Sequence, residues 1–150
     1  MTTAPNRRTD YGHQTRPDLP CQHLGPYHLT CDEYEALRDR AQDRCEICRT
    51  HGHDTPRGSL VIDHFQSDDL FFVRGLLCDR CNAVMARHDR KRVWGPATRP
   101  WAAKAAVYHR NSWGATPQQL ALADQHIASR IPWTRRPGGY DPAFHDTAPV

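Results

Sequence analysis

Two Cys-x-x-Cys pairs, Cys45–Cys48 and Cys78–Cys81, constrain this chain more than any other feature. Such a pair bends the backbone so that both thiolates face one point. Two pairs complete a tetrahedral four-sulfur site, the preference of structural zinc. The alternatives are two disulfides or unrelated buried thiols. The N-terminus, Met1 to Asp10, carries two arginines with no apolar stretch after them, so no secretory signal is read and a cytoplasmic setting is expected. In a reducing compartment paired cysteines more often hold a metal than bond to each other. Zinc is therefore expected on Cys45, Cys48, Cys78 and Cys81, with a closed shell and a structural role. Two further cysteines fall into the patterns Cys21-x-His23 and His28-x-x-Cys31. These four residues offer a second zinc site at irregular spacing, against the plainer reading of thiols and imidazoles in a solvated loop.

With 150 residues there is room for one domain and little more. Purely apolar runs are no longer than four residues, as in Leu70-Phe71-Phe72-Val73, far below the roughly 20 residues of a membrane span. Residues 1–20 read as a disordered arm, 21–92 as a zinc-bound core, 93–133 as a helical extension and 134–150 as a flexible tail. Thr30 and Glu33 form a capping-box pattern that predicts a helix from about Cys31 to Gln42. Ser59 to Phe65 and Leu70 to Leu77 read as the strands of a hairpin, turned by Gln66 to Asp69. Helices are expected from Asp79 to about His88, from Pro100 to about Arg110, and from the Thr116/Gln119 capping box to about Arg130. Trp94, Trp101, Tyr108 and Trp113 read as core or interface residues rather than base-stacking platforms.

Charge is unevenly spread. Residues 30–70 sum to −5 and residues 71–110 to +7, which suggests an anionic partner on one face and a cation site on another. Asp63 and His64 close the first strand, and Asn82 follows the last cysteine at a helix start. Alone, an Asp-His dipeptide is ordinary surface chemistry and such an asparagine a helix cap. A four-sulfur clamp would hold the helix start against the hairpin, so that two oxygens and an imidazole converge. Two oxygens with waters suit Mg²⁺, and a free imidazole beside it can deprotonate water.

Cys45-x-x-Cys48, Val61-Ile62-Asp63-His64 and Val73-Arg74-Gly75-Leu76-Leu77-Cys78-x-x-Cys81-Asn82 together resemble the recombination endonuclease VII family, which belongs to the HNH, or ββα-metal, nucleases. Leu29-Thr30-x-x-Glu33-Tyr34-x-Ala36-Leu37 is similar to the helix that precedes the family's first knuckle. The resemblance covers about residues 29–90. It implies a small α+β fold: a zinc-stapled ββα-metal core with a preceding helix and C-terminal helices. It implies a DNA endonuclease using Mg²⁺ or Mn²⁺, held by Asp63 and Asn82, with His64 as general base. The products would carry a 5′-phosphate and a 3′-hydroxyl, and branched DNA is one substrate the family suggests. The chain departs from the family pattern at Phe65 and Gln66, where an acid and a second histidine are usual. It departs again in its short acidic turn and in Ala83 to Ala86, where a glycine is common.

Arg74 can pair with an acid of the hairpin, but the resemblance and the basic block favour a phosphate contact. Gly75 reads as a bulge. Arg80, Arg87, Arg90, Lys91 and Arg92 lie along and just past one helix and read as a phosphate-binding stripe beside a nuclease site. His51, His53 and His88 read as solvated. A non-cleaving zinc-dependent DNA-binding module would explain the cysteines and the stripe, though not Asp63, His64 and Asn82 together. A nuclease subunit targeted by a phage or host protein partner, and a homodimer, are the other readings kept open.

Overall fold

The computed structural model describes residues 20–21 and 23–130; the expected arm, Pro20 apart, and the expected tail lie outside the described residues. Helix α1 spans Cys31–Ala41. Its start is fixed by a reciprocal cap, in which the Thr30 hydroxyl accepts from the Glu33 N–H and the Glu33 carboxylate accepts from the Thr30 N–H. Tyr34, Leu37 and Ala41, spaced for one helical face, are its buried residues. The helix stops at Gln42, which turns left-handed at φ 56° and delivers the chain to Cys45.

Strands β1 (Val61–Ser67) and β2 (Leu70–Leu77) form a two-stranded antiparallel sheet. Pairing extends to Gln66↔Phe71 and Ser67↔Leu70, so the turn is only Asp68-Asp69, shorter than the sequence suggests. Asp68 takes φ 37°, a conformation that aspartate tolerates better than most residues. The register slips between Asp63↔Gly75 and His64↔Val73, leaving Arg74 as the extra residue of a β-bulge.

The bulge explains its glycine. The Glu46 carboxylate reaches across to accept the Leu76 N–H at 2.7 Å, and a Cβ on Gly75 would collide with that carboxylate and crowd the Tyr108 hydroxyl. The carbonyls freed by the irregular register are also satisfied. Trp113 N–H donates to Arg74 O at 2.9 Å, Gly114 N–H to Val73 O at 2.8 Å, and the Arg40 guanidinium to Arg74 O at 2.8 Å.

Helix α2 (Asp79–Asp89) begins inside the second cysteine pair. Helix α3 spans Pro100–Arg110, and α4 spans Pro117–Ser129 from a Thr116/Gln119 capping box. The main core runs from Leu37 and Ala41 through Ile62, Leu76 and Leu77 to Val84 and Met85, and takes in Trp101, Ala105 and Tyr108 of α3. Trp94 and Trp113 pack against it. A second cluster joins Phe65, Leu70 and Phe72 to Ala123 of α4. The C-terminal helices therefore fold back onto the hairpin, which alone exposes too much apolar surface to be stable. The result is the small α+β arrangement expected of a ββα core with one helix before it and two after. Among the described residues no helix is long and apolar enough to cross a membrane.

Candidate active site and metal centres

The sulfurs of Cys45, Cys48, Cys78 and Cys81 lie within 4.8 Å of one another. Cys48 and Cys78 are 3.8 Å apart, and all six cysteines are free thiols. Zinc–sulfur bonds of about 2.3 Å at tetrahedral angles place sulfurs about 3.8 Å apart, so the cluster fits zinc and not disulfides. Each pair is shaped by a backbone bond, Arg49 N–H to Cys45 O at 2.8 Å and Asn82 N–H to Cys78 O at 2.9 Å. Hydrogen bonds from Cys45 and Cys81 lower the Cys78 thiol to about 4, so the cluster holds a thiolate at neutral pH. The four ligands tie the segment after α1 to the start of α2, one on each side of the hairpin.

Beside this clamp opens a cleft of about 910 Å³ whose lining includes Asp63, His64 and Asn82. Asn82 is exposed at the first turn of α2. His64 is half-buried, its ring edge-on to Tyr27 at 5.6 Å and tilted on Phe71 at 5.3 Å. Burial lowers its pKa from the ordinary value, outweighing the nearby Asp63 charge, so the imidazole is neutral near pH 7. Tyr27, which the sequence did not single out, thus forms part of the wall behind the imidazole.

Asp63 turns inward. Its Oδ2 accepts from Arg74 Nε at 2.7 Å and from the Tyr108 hydroxyl at 3.0 Å, while Oδ1 accepts, among the described residues, from Arg74 Nη2 alone, at 3.2 Å. Burial pushes this carboxyl above the ordinary carboxylate range, and Arg74 offsets only part of that rise. Arg74 corrects an expectation: it is 1% exposed and makes no surface for a phosphate. Its fork holds Asp63 on one side and Asp89 on the other, with both Asp89 oxygens at 2.8 Å. Burial alone would raise Asp89; hydrogen bonds from His88 and Arg74 overcome it and hold this carboxyl at about 2. Asp63 and Asn82 supply oxygen donors, the kind a hard cation takes, and Oδ1 keeps lone-pair capacity. The donor set fits Mg²⁺ or Mn²⁺, with Arg74 as a competing cation on the same carboxylate.

His88, expected in solvent, is half-buried and bonds Asp89 at 3.1 Å, with the His109 ring 5.1 Å away. His109 is buried between Arg74, at 3.1 Å, and Asp124 of α4, at 3.2 Å. His51 and His53 stack on each other at 4.7 Å. Asp89, Tyr108 and His109 carry no local sequence signal. Tyr108 and His109 join the site because α3 folds onto the bulge, while Asp89 comes from the last residue of α2.

The basic stripe divides. Arg80 and Arg90 are exposed, and Arg90 lines the cleft. Arg87 instead holds the following loop, donating to Val93 O at 2.6 Å with its guanidinium over Trp94 at 5.5 Å. Lys91 donates to Ala128 O at 3.1 Å, and Arg92 is 8% exposed. Asn82, Ala86, Asp89 and Arg90 share the helical face toward the cleft, which Arg87 does not. Arg57 and Arg130, which the sequence did not flag, line the cleft as well.

Of the second candidate metal group, Cys21, His23 and Cys31 come together. His28 does not join them; it is left-handed at φ 56° and its ring sits edge-on to Phe71 at 5.4 Å.

A family model, recombination endonuclease VII, matches residues 21–97, more than half of the chain. The match takes in both cysteine pairs, both strands and α2. No curated protein and no solved structure matches the chain.

Proposed function

We propose, because this chain belongs to the recombination endonuclease VII family of nucleases acting on DNA, that it is an HNH-type endonuclease hydrolysing phosphodiester bonds with Mg²⁺ or Mn²⁺. The observation that carries the reading is one cleft, flanked by a zinc-competent clamp, that Asp63, His64 and Asn82 all line. His64 is the general base: its neutral imidazole takes a proton from a water as the water oxygen attacks phosphorus. The bond from phosphorus to the 3′ oxygen breaks, leaving a 5′-phosphate and a 3′-hydroxyl once that oxygen takes a proton from solvent. Asp63 and Asn82 are the residues that would hold the divalent cation, which when bound supplies charge stabilisation at the phosphorane and the leaving oxygen. Tyr27 and Phe71 hold the imidazole in place, and Arg90 with Arg57 and Arg130 gives the cleft its attraction for the phosphate backbone. Branched DNA is the substrate form this reading puts first to trial.

The test is nicking of supercoiled plasmid, and cutting of a branched duplex, with Mg²⁺ or Mn²⁺. His64→Ala should lose cleavage by about 10²–10⁴-fold, the usual scale for a general base, with zinc content and unfolding midpoint unchanged. Normal cutting by His64→Ala would withdraw the imidazole from the reaction. No cutting by the wild-type protein with either metal, DNA binding intact, would favour a non-cleaving module.

A further inference from the structure

Cys21, His23 and Cys31 stand outside the cleft and the four-sulfur clamp, yet their ligand atoms lie within 4.8 Å of one another. Cys21 Sγ is 3.9 Å from Cys31 Sγ, and Cys31 Sγ is 3.8 Å from His23 Nε2. A disulfide needs about 2.05 Å between sulfurs. A tetrahedral ion with bonds of about 2.3 Å to sulfur and 2.0 Å to nitrogen holds two sulfurs about 3.8 Å apart, and a sulfur and a nitrogen slightly closer. The distances suit the ion.

The imidazole is also oriented for the task. His23 is fully buried, and its Nδ1 lies 2.8 Å from Leu29 O. A carbonyl only accepts, so Nδ1 carries the proton and the lone pair is on Nε2, the atom facing Cys31. Metal-bound histidines are fixed in this way, the distal N–H held by a carbonyl or carboxylate. The ring lies flat on Tyr34 at 4.7 Å and 7°. Leu24 N–H to Cys21 O and Leu29 N–H to His23 O, both 3.1 Å, shape the loop around the group. Two sulfurs and an imidazole suit zinc and not the hard cations of the cleft.

We propose that Cys21, His23 and Cys31 hold a second zinc ion, with its fourth position left open by the described residues. Its role is to buttress the cleft. The loop between these ligands carries Tyr27 to the His64 ring and His28 to Phe71, so the ion ties that wall to the N-terminus of α1.

The experiment is zinc per chain in full-length protein purified under reducing conditions, by plasma mass spectrometry against protein concentration. Two zinc ions are expected in the wild type. One is expected in Cys31→Ser, with cooperative unfolding retained, because Cys31 is exposed and the four-sulfur clamp is untouched. His23→Gln should likewise retain one, and Cys31→Ser serves alone if that buried variant does not fold. One zinc in the wild type overturns the proposal, as does two in Cys31→Ser. A Cys21–Cys31 disulfide in the reduced preparation, read as a loss of two hydrogens, overturns it too.

Discussion

A guanidinium between two carboxylates under the surface costs several kcal/mol to desolvate, and Arg74 offsets that cost with one fork to Asp63 and a second to Asp89. Removing it leaves the buried Asp63 and the half-buried Asp89 without their shared cation. Arg74→Met should therefore lower stability by about 3–5 kcal/mol, read as a shift in the urea midpoint. A phosphate contact at the surface predicts the opposite pattern, an unchanged midpoint and a smaller salt dependence of DNA binding. Residue by residue, the site was legible where chemistry is tied to local spacing. Asn82 follows Cys81, and Asp63-His64 lies on a strand between two knuckles, in its middle rather than at its end as the sequence suggests. It was illegible where a bulge intervenes, because one inserted residue decides which way an arginine faces. Tyr108 and His109 were out of reach for a different reason: they meet Asp63 and Arg74 through tertiary packing alone.

At the scale of elements, α2 carries two jobs on two faces. One face presents Asn82 and Arg90 to the cleft, while Arg87 turns to the loop after the helix and grips Val93 and Trp94. Arg90→Ala should lower the log–log salt slope of duplex binding by about 0.9, the release of one counterion set. Arg87→Ala should leave the slope and lower the unfolding midpoint. Equal slope losses in both variants, by fluorescence anisotropy across a salt series, would return the stripe to a single binding face. The helix starts were legible because the Thr30/Glu33 and Thr116/Gln119 boxes are local hydrogen-bond devices. The hairpin turn is shorter than composition suggests, because Gln66 and Ser67 are polar yet cross-strand pairing keeps them in the strand.

Across the whole molecule the elements meet at one buried ionic centre. His109 of α3 touches Arg74 of β2 and Asp124 of α4, beside His88 and Asp89 of α2. Burial, then the charges of Arg74 and His88, lowers its pKa. The unfolded chain therefore takes up this proton first, so the stabilising contribution is full above about pH 6.5 and is lost as pH falls through the lowered folded value. Thermal unfolding measured from pH 7.5 to 5.5 should show the midpoint falling, and His109→Asn should flatten the fall. An identical slope in the variant would mean that His109 keeps its ordinary pKa. The same packing has a consequence for how copies of the chain treat one another. A two-stranded sheet has open borders on which a neighbour's strand can template, the usual first step toward fibrils. Trp113 and Gly114 occupy the backbone carbonyls of Arg74 and Val73 along the β2 border. The segment between α3 and α4 thus acts as a guard against strand-to-strand recruitment, a duty separate from any nuclease chemistry.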